Sequence, residues 1–126
     1  MVHSNKTYNK YVGSIGEAAA EGFLVKNGLE VILRNFSTRF GEIDLIMRDK
    51  GRWVFVEVKT KKGLEFGTPE EMFTRGKYNR VKRMATVYLK GEDVPCRIDM
   101  VAVELDSQNL PKSVRHYENV AMWLGG

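Results

Sequence analysis

The stretch from residue 41 to residue 60, GEIDLIMRDKGRWVFVEVKT, limits the fold of this chain more than any other part of it. Two runs rich in β-branched and aromatic residues flank the dipeptide Lys50–Gly51, a combination typical of two antiparallel strands joined by a tight turn. A turn centred on that dipeptide fixes the register of the hairpin. In that register Asp44 lies directly opposite Glu57, with the two Cβ atoms roughly 5 Å apart.

The predicted hairpin collects charged side chains on one face. Because side chains alternate between the two faces of a strand, Glu42 and Lys59 share the face of Asp44 and Glu57. Phe55 lies on the same face, which predicts that these charges are partly buried. One interpretation is an ion-pair ladder on a solvated face, with about 0.2–1 kcal/mol from each opposite-charge pair. The like-charge pair of Asp44 and Glu57 disfavours that interpretation.

A divalent cation would neutralise the repulsion between the carboxylates of Asp44 and Glu57. Carboxylates this close repel each other, so the pKa of one of them rises unless a positive charge intervenes. Mg²⁺ prefers oxygen ligands, which Asp44, Glu57 and the backbone carbonyl of Val58 provide. Lys59 would then support the charge that develops on a phosphoryl oxygen. The hairpin therefore predicts a Mg²⁺ or Mn²⁺ site for phosphodiester hydrolysis.

The order of the remaining elements predicts the fold class. Apolar periodicity and turn residues predict a helix over 14–27, a strand over 29–36, a long helix over 70–90, a strand over 96–105 and a short strand over 114–117. The long helix can serve as a right-handed crossover, which makes the strands before and after it parallel. We therefore expect an α/β domain in which a helix precedes a three-strand antiparallel meander, with a mixed sheet flanked by helices.

The N-terminal part of the chain divides into two segments. Residues 1–12 are polar and basic, which predicts a flexible lead-in, and residues 13–124 form the single expected domain. Ser14 and Glu17 have the spacing of a capping box at the start of the first helix. That spacing alone gives Glu17 a structural role.

The composition excludes several classes of protein. A single cysteine in 126 residues excludes a disulfide framework and a cysteine-rich zinc site. The apolar runs are too short to span a bilayer and the start of the chain has no secretory pattern, so we expect a cytoplasmic protein without a membrane partner. The net charge of +4 fits a nucleic-acid partner.

The long helix carries a dense group of basic residues. Lys77 lies four residues before Val81 of the apolar stripe, so it points toward the sheet, where a carboxylate or a phosphate would neutralise it. A solvated helix face explains the other basic residues one by one. As a group, together with neighbouring basic residues, they can follow a phosphate backbone. The predicted nucleic-acid contacts are Arg39, Lys61, Lys62, Arg75, Arg80, Lys82 and Arg83.

Taken together, these motifs resemble the PD-(D/E)-X-K nuclease superfamily and, within it, the YraN-like bacterial family. The matching segments are GEAAA at 16–20, NF at 35–36, GEIDLI at 41–46, FVEVKT at 55–60 and RIDMVAV at 97–103. The archaeal-type Holliday-junction resolvases share the same core more distantly. The resemblance implies a restriction-endonuclease-like core.

The resemblance also implies roles for site residues. Asp44 and Glu57 would bind the metal, Lys59 would be catalytic, and Glu17 would reach the metal directly or through water. The superfamily proline that precedes the acidic residue is replaced by Ile43.

The expected function is a metal-dependent endonuclease that hydrolyses DNA, with branched or damaged DNA as the expected substrate. The alternative is a nucleic-acid-binding module of a repair assembly with little or no hydrolysis. RNA stays open as a substrate because the metal chemistry ignores the 2′-hydroxyl. Cutting both strands would need two sites, which favours a symmetric homodimer.

Overall fold

The structure is a computed structural model that describes residues 5–122 as one five-stranded sheet with a helix on each face. The elements are α1 Asn5–Lys26, β1 Glu30–Thr38, β2 Gly41–Asp49, β3 Arg52–Lys62, α2 Arg75–Tyr88, β4 Cys96–Leu105 and β5 Pro111–Tyr117. Short 3-10 helices cover Glu70–Met72 and Val120–Met122. Within the described residues, no helix combines the length and the hydropathy that crossing a membrane requires.

The sheet is mixed, as the order of elements predicts. The strands follow the order β1-β2-β3-β4-β5, with antiparallel pairing between the first three. Helix α2 connects β3 to β4, and these two strands are parallel. Strand β5 returns antiparallel to β4. The predicted α/β class and the predicted parallel pair are therefore confirmed.

The two helices cover opposite faces of the sheet because the strand residues alternate. Val54, Val56 and Val58 of β3 pack in a cluster with Leu24 of α1. Phe55, between them in sequence, packs in the second cluster against helix α2. The opposite face of α2, which carries Arg75, Asn79, Lys82 and Arg83, is exposed.

The start of the first helix was predicted wrongly. Helix α1 spans Asn5–Lys26, so residues 5–12 of the predicted flexible lead-in form helical turns, and Val12 belongs to the core. Residues 1–4 lie outside the described residues. Ser14 is inside the helix, and its hydroxyl donates to the carbonyl of Tyr11. The predicted capping box is therefore absent at this position, and Glu17 is free of a capping role.

The long helix predicted over 70–90 is divided. A 3-10 turn follows Pro69, and α2 begins only after Thr74, whose hydroxyl accepts a hydrogen bond from the backbone N–H of Lys77. Arg115 of β5 donates to both carboxylate oxygens of Glu70, at 2.6 and 2.9 Å. This pair ties the 3-10 turn to the sheet, so the chain cannot continue there as a regular helix.

The predicted β2–β3 hairpin is confirmed only as far as Leu45. Lys50 and Gly51 both have positive φ, 52° and 82°, as a tight hairpin turn requires. The ladder runs from this turn to the pair of Leu45 and Val56. The predicted pair of Asp44 and Glu57 is not part of the ladder, because the two strands separate at this point.

Candidate active site

The site lies at the point where β2 and β3 separate, beyond the pair of Leu45 and Val56; we call this point the fork. Ile43 and Ile46 both pack against α2, although residues three apart in a regular strand face opposite sides. The alternation of side chains between the two faces therefore breaks near Asp44, so the face on which its side chain lies cannot be predicted from its position in the strand. Beyond the end of the ladder, the backbone N–H of Val58 donates a 2.7 Å hydrogen bond to Oδ2 of Asp44. A side chain thus connects the two strands where regular pairing has ended.

Three carboxylates meet beside this fork. Glu17 of α1, Glu42 and Asp44 place one carboxylate oxygen each within 4.8 Å of the others. Asn35 of β1, which has a φ of 54°, faces this carboxylate cluster. In the amide orientation that satisfies its hydrogen bonds, its nitrogen donates to Oε1 of Glu17 and Oε1 of Glu42, both at 3.0 Å.

Gly16 explains how helix α1 delivers Glu17. A Cβ atom at position 16 would overlap Oγ1 of Thr60, with Cβ and Cγ2 of Thr60 2.8 Å away. Only glycine therefore lets α1 pack this close to β3. The next residue along the helix is Glu17. The close contact at Gly16 therefore brings the carboxylate of Glu17 near the sheet, where it joins the cluster.

The electrostatics of the cluster favour a bound cation. Burial and the carboxylate of Glu57 raise the pKa of Asp44 to about 9. Burial, followed by Glu42 and Glu57, raises the pKa of Glu17 as well. At neutral pH Asp44 therefore keeps its proton, because its surroundings do not compensate a negative charge there. A divalent cation would supply that compensation, and the hard oxygen atoms of the cluster suit Mg²⁺ and Mn²⁺.

Glu57 and Lys59 form a separate unit next to the cluster. Nζ of Lys59 lies 3.2 Å from Oε2 of Glu57, and both side chains are less than one-fifth exposed. Lys77 of α2 is half-buried, and burial together with the positive charge of Lys59 lowers its pKa. Its predicted role in the site stays a prediction. Among the described residues, the carboxylate cluster that could hold a metal consists of Glu17, Glu42 and Asp44. It includes neither Glu57 nor the Val58 carbonyl, so these two predicted ligands stay predictions.

Basic side chains flank the site on one side. The guanidinium groups of Arg39 and Arg83 lie over the ring of Phe40, at 5.0 and 5.2 Å from its centroid. Phe40 lies in the β1–β2 turn and Arg83 lies on α2, so the turn and the helix form one continuous basic surface. Arg80 belongs to the same surface, because its Cδ would lie 3.1 Å from a Cβ at Gly41.

Lys61 and Lys62 lie at the end of β3, the strand that carries Glu57 and Lys59. Lys61 is partly buried, whereas Lys62 is exposed and donates a 2.9 Å hydrogen bond to the hydroxyl of Tyr8 in α1. Arg75 and Lys82 lie exposed on α2. The predicted basic contacts therefore lie on the β1–β2 turn and at the end of β3 as well as on α2.

Sequence reasoning missed Glu42, Asn35 and Tyr8 as residues of the site. Glu42 was placed on the acidic face but not among the ligands, although Gly-Glu-Ile-Asp sets it two residues before Asp44. No pattern in the sequence connects Asn35 to the cluster, because its contact depends on a positive φ. Tyr8 fell in the predicted lead-in.

Asp99 has a structural role between β4 and β5. Its fully buried carboxylate accepts hydrogen bonds from Arg97 and from the backbone N–H of Asn119 and lies 2.8 Å from Nε2 of His116. Burial opposes its ionisation, but the bonds from His116, Asn119 and Arg97 outweigh burial and hold its pKa below the ordinary value. Asp99 therefore anchors β4 to β5 and stands apart from the carboxylate cluster.

Comparison with known proteins places the chain in a family. The model of the uncharacterised protein family UPF0102 matches residues 16–103. The chain belongs to this family. It is the YraN-like family that the motifs resemble, so that resemblance is confirmed.

Similar proteins of this family occur in distant bacteria. The UPF0102 protein of Symbiobacterium thermophilum is 48% identical over 99 residues, which cover 76% of this chain and 84% of that protein. The UPF0102 protein of Nocardia farcinica is 43% identical over 103 residues, covering 79% and 81%. The UPF0102 protein of Pelotomaculum thermopropionicum is 38% identical over 113 residues, covering 87% and 94%.

Proposed function

We propose that this protein is a metal-dependent endonuclease that hydrolyses phosphodiester bonds in DNA. The observation that carries the proposal is the carboxylate cluster of Glu17, Glu42 and Asp44 beside the half-buried pair of Glu57 and Lys59. Uncompensated carboxylates next to a held ammonium group are the arrangement that phosphoryl transfer with a divalent cation needs. We further propose that the protein acts in the cytoplasm.

The carboxylate cluster would hold the metal, with Glu57 and the carbonyl of Val58 as further candidates. A bound Mg²⁺ or Mn²⁺ ion supplies charge stabilisation at a phosphoryl oxygen and lowers the pKa of a coordinated water. Lys59 donates to the phosphate at the point where negative charge develops, and Glu57 holds its ammonium group in place. Lys77 adds a second positive charge from the side of α2.

The flanking basic residues would hold the substrate backbone across the site. Arg39, Arg80 and Arg83 lie around the β1–β2 turn, and Lys61 and Lys62 lie at the end of β3. Contacts of this kind act on phosphates, so they give affinity without a choice of sequence. Arg75 and Lys82 extend the basic surface along α2.

The test is cleavage of end-labelled nucleic acids with Mg²⁺, with Mn²⁺ and with EDTA. The substrates are single-stranded DNA, duplex DNA, branched DNA and RNA. We expect wild-type protein to cut DNA only with metal, and Asp44→Asn and Lys59→Met to lose that cleavage while remaining folded by circular dichroism. Cleavage that persists in Asp44→Asn would identify a contaminant and contradict the proposal.

A binding module without hydrolysis is the alternative outcome. In that case wild-type protein and Asp44→Asn bind DNA equally, in a salt-dependent way, and neither cuts any substrate with either metal. Cutting of both strands at a junction would need two copies of the chain. Light scattering with and without junction DNA tests this homodimer, and a monomer in both conditions contradicts it.

A further inference from the structure

The loop that follows β3 leaves two apolar side chains in water. Phe66 is 85% exposed and Leu64 is 48% exposed. The loop is a compact turn, since the backbone N–H of Gly67 donates to the carbonyl of Leu64 at 3.3 Å, and Gly63 and Gly67 have φ of 79° and 108°. A local fold that holds an aromatic ring outward costs apolar burial, which calls for a partner that covers the ring.

A groove lies next to this loop and leads to the candidate active site. It has a volume of about 440 Å³ and runs between the first turns of α1 and the end of β3. Its polar and aromatic lining consists of Tyr8, Asn9, Lys59, Thr60, Lys61 and Lys62. Among the described residues, none that lines the groove is acidic. Lys59 belongs to both the groove and the candidate active site. The groove therefore continues the site toward a positively charged, anion-accepting surface.

The wall of the groove pairs an aromatic ring with an ammonium group. Nζ of Lys62 donates to the hydroxyl of Tyr8 and lies 5.6 Å from the centroid of its ring. This contact holds the ring of Tyr8, which is 38% exposed, at the groove. A ring beside basic residues is the combination that proteins use to stack bases while they neutralise the backbone.

Phe66 lies within reach of a strand bound in the groove. It follows Lys62 by four residues, which limits the separation of their Cα atoms to about 14 Å. The turn from Leu64 to Gly67 shortens this separation further. Successive bases of one DNA strand are about 3.4 Å apart along the helix axis, so the distance corresponds to a few nucleotides.

We propose that this groove and loop bind an unpaired segment of nucleic acid, with bases stacked on Tyr8 and Phe66 and the backbone along Lys59, Lys61 and Lys62. The inference rests on the proposed function and narrows its substrate to nucleic acid with a single-stranded segment. Bases inside an intact duplex have both faces covered by neighbouring base pairs. They can stack on a side chain only after unstacking, whereas unpaired bases are free to do so.

The test measures binding in EDTA, where no hydrolysis occurs. A fluorescent oligodeoxythymidylate, its duplex with oligodeoxyadenylate, and the same duplex with a single-stranded tail are titrated with full-length protein by anisotropy. Wild-type protein should bind the single strand and the tailed duplex more tightly than the blunt duplex. Phe66→Ala should weaken single-strand binding about fivefold or more, as loss of one stacked base does. Phe66→Trp should restore it.

Two further variants separate stacking from general surface effects. Tyr8→Leu should weaken single-strand binding in the same way, because it removes the ring at the groove. Leu110→Ala is the matched control, since Leu110 is 57% exposed on the connection between β4 and β5 and does not line the groove. Its affinity should equal that of wild type.

The outcomes distinguish this inference from the proposed function. Metal-dependent cleavage that Asp44→Asn abolishes, together with equal binding by wild type and Phe66→Ala, overturns the inference alone. Tighter binding of the blunt duplex than of the single strand overturns it too. Single-strand binding that depends on Phe66, with no cleavage of any substrate, supports the inference and overturns the proposed hydrolysis.

Discussion

The backbone N–H of Val58 donates a 2.7 Å hydrogen bond to Oδ2 of Asp44. Val58 lies two residues, and Asp44 one residue, beyond the last β2–β3 pair, which is Leu45 with Val56. The bond fixes the carboxylate of Asp44 at the fork. A carboxylate held in this way is ordered before any ligand arrives, which is the condition that a metal site or a catalytic site needs.

The first prediction concerns the protonation of Asp44. Its pKa is about 9 in the folded protein and near 3.8 in the unfolded chain, so unfolding releases a proton between these values. The stabilising contribution is complete below the unfolded pKa and is lost as the pH rises toward 9. Without metal, the free energy of unfolding should therefore fall from ~pH 6 to ~pH 8, by up to about 1.4 kcal/mol per pH unit.

Asp44→Asn should remove this pH dependence. Its amide stays neutral, keeps the shape of the side chain and can accept the bond from Val58. The variant should be more stable than wild type in EDTA, by a margin that grows with pH. Urea unfolding at several pH values measures it, with the exposed Asp93→Asn as the control. Equal slopes in wild type and Asp44→Asn would contradict the assignment of the proton.

The second prediction identifies the metal ligands. Calorimetric titration of Mn²⁺ should show a site in wild type that Glu42→Gln and Asp44→Asn weaken at least tenfold, as loss of a ligand does. Affinity should rise with pH and binding should release a proton, because Asp44 must ionise before it binds a cation. Glu92→Gln, at an exposed position on the chain after α2, is the control. Unchanged affinity in Glu42→Gln would exclude the carboxylate cluster as the site.

The third prediction tests the close approach of α1 to β3. Gly16→Ala should destabilise the protein by about 1–3 kcal/mol, the cost of overpacking, because the new methyl group would overlap Thr60. Gly22→Ala in the same helix has nothing within 4 Å of the added Cβ and should stabilise the protein by roughly 0.5–1 kcal/mol. Thermal and urea unfolding measure both. Equal effects of the two substitutions would show that helix propensity, rather than contact with Thr60, governs position 16.

The hairpin shows how much of the site the sequence could predict. Lys50 and Gly51 set a turn whose geometry follows from residue type, so the ladder as far as Leu45 is predictable. The fork is not predictable, because nothing in the pattern of the two strands indicates that their pairing ends at Leu45 and Val56. The bond from Val58 to Asp44 competes with regular pairing there, and that competition is a tertiary effect.

Glu17 illustrates a second limit. A Ser-x-x-Glu spacing is a sound local pattern, but it cannot exclude a helix that continues upstream through polar residues. Burial of Val12 in the core stabilises the earlier turns of α1. The same extension brings Tyr8 to Lys62, a contact that no local pattern contains. By contrast, the alternation of Val54 and Phe55 assigned the two faces of β3 correctly.

The fourth prediction concerns Asp99. Asp99→Ala should cost about 3–5 kcal/mol, because removal of one partner from a buried charge network leaves the cation of Arg97 less compensated. Since the pKa of Asp99 is lowered, its contribution is present above the unfolded value of 3.8 and is lost as the pH falls through the folded value. The difference from wild type should therefore narrow in acid. Urea unfolding at neutral and acidic pH checks this, with the exposed Glu30→Gln as the control.

The fifth prediction tests the arginine surface around Phe40. Arg83→Ala should weaken DNA binding by a similar factor for different sequences, because a phosphate contact carries no sequence information. It should also reduce the slope of log affinity against log salt concentration by about one, the value expected for one lost phosphate contact. Anisotropy titrations across a salt series, in EDTA, measure both quantities.

Lys112→Ala is the matched control for Arg83→Ala. Lys112 is exposed on β5, at the edge of the sheet opposite the β1–β2 turn that carries Phe40, so its removal lowers the net charge equally without touching the proposed path. If both variants lose the same affinity and the same slope, binding responds to net charge alone. That result would reject a defined path through Arg39 and Arg83. A loss confined to Arg83→Ala would instead locate the backbone beside Phe40, because the guanidinium group that lies over that ring is then the one that meets the phosphate.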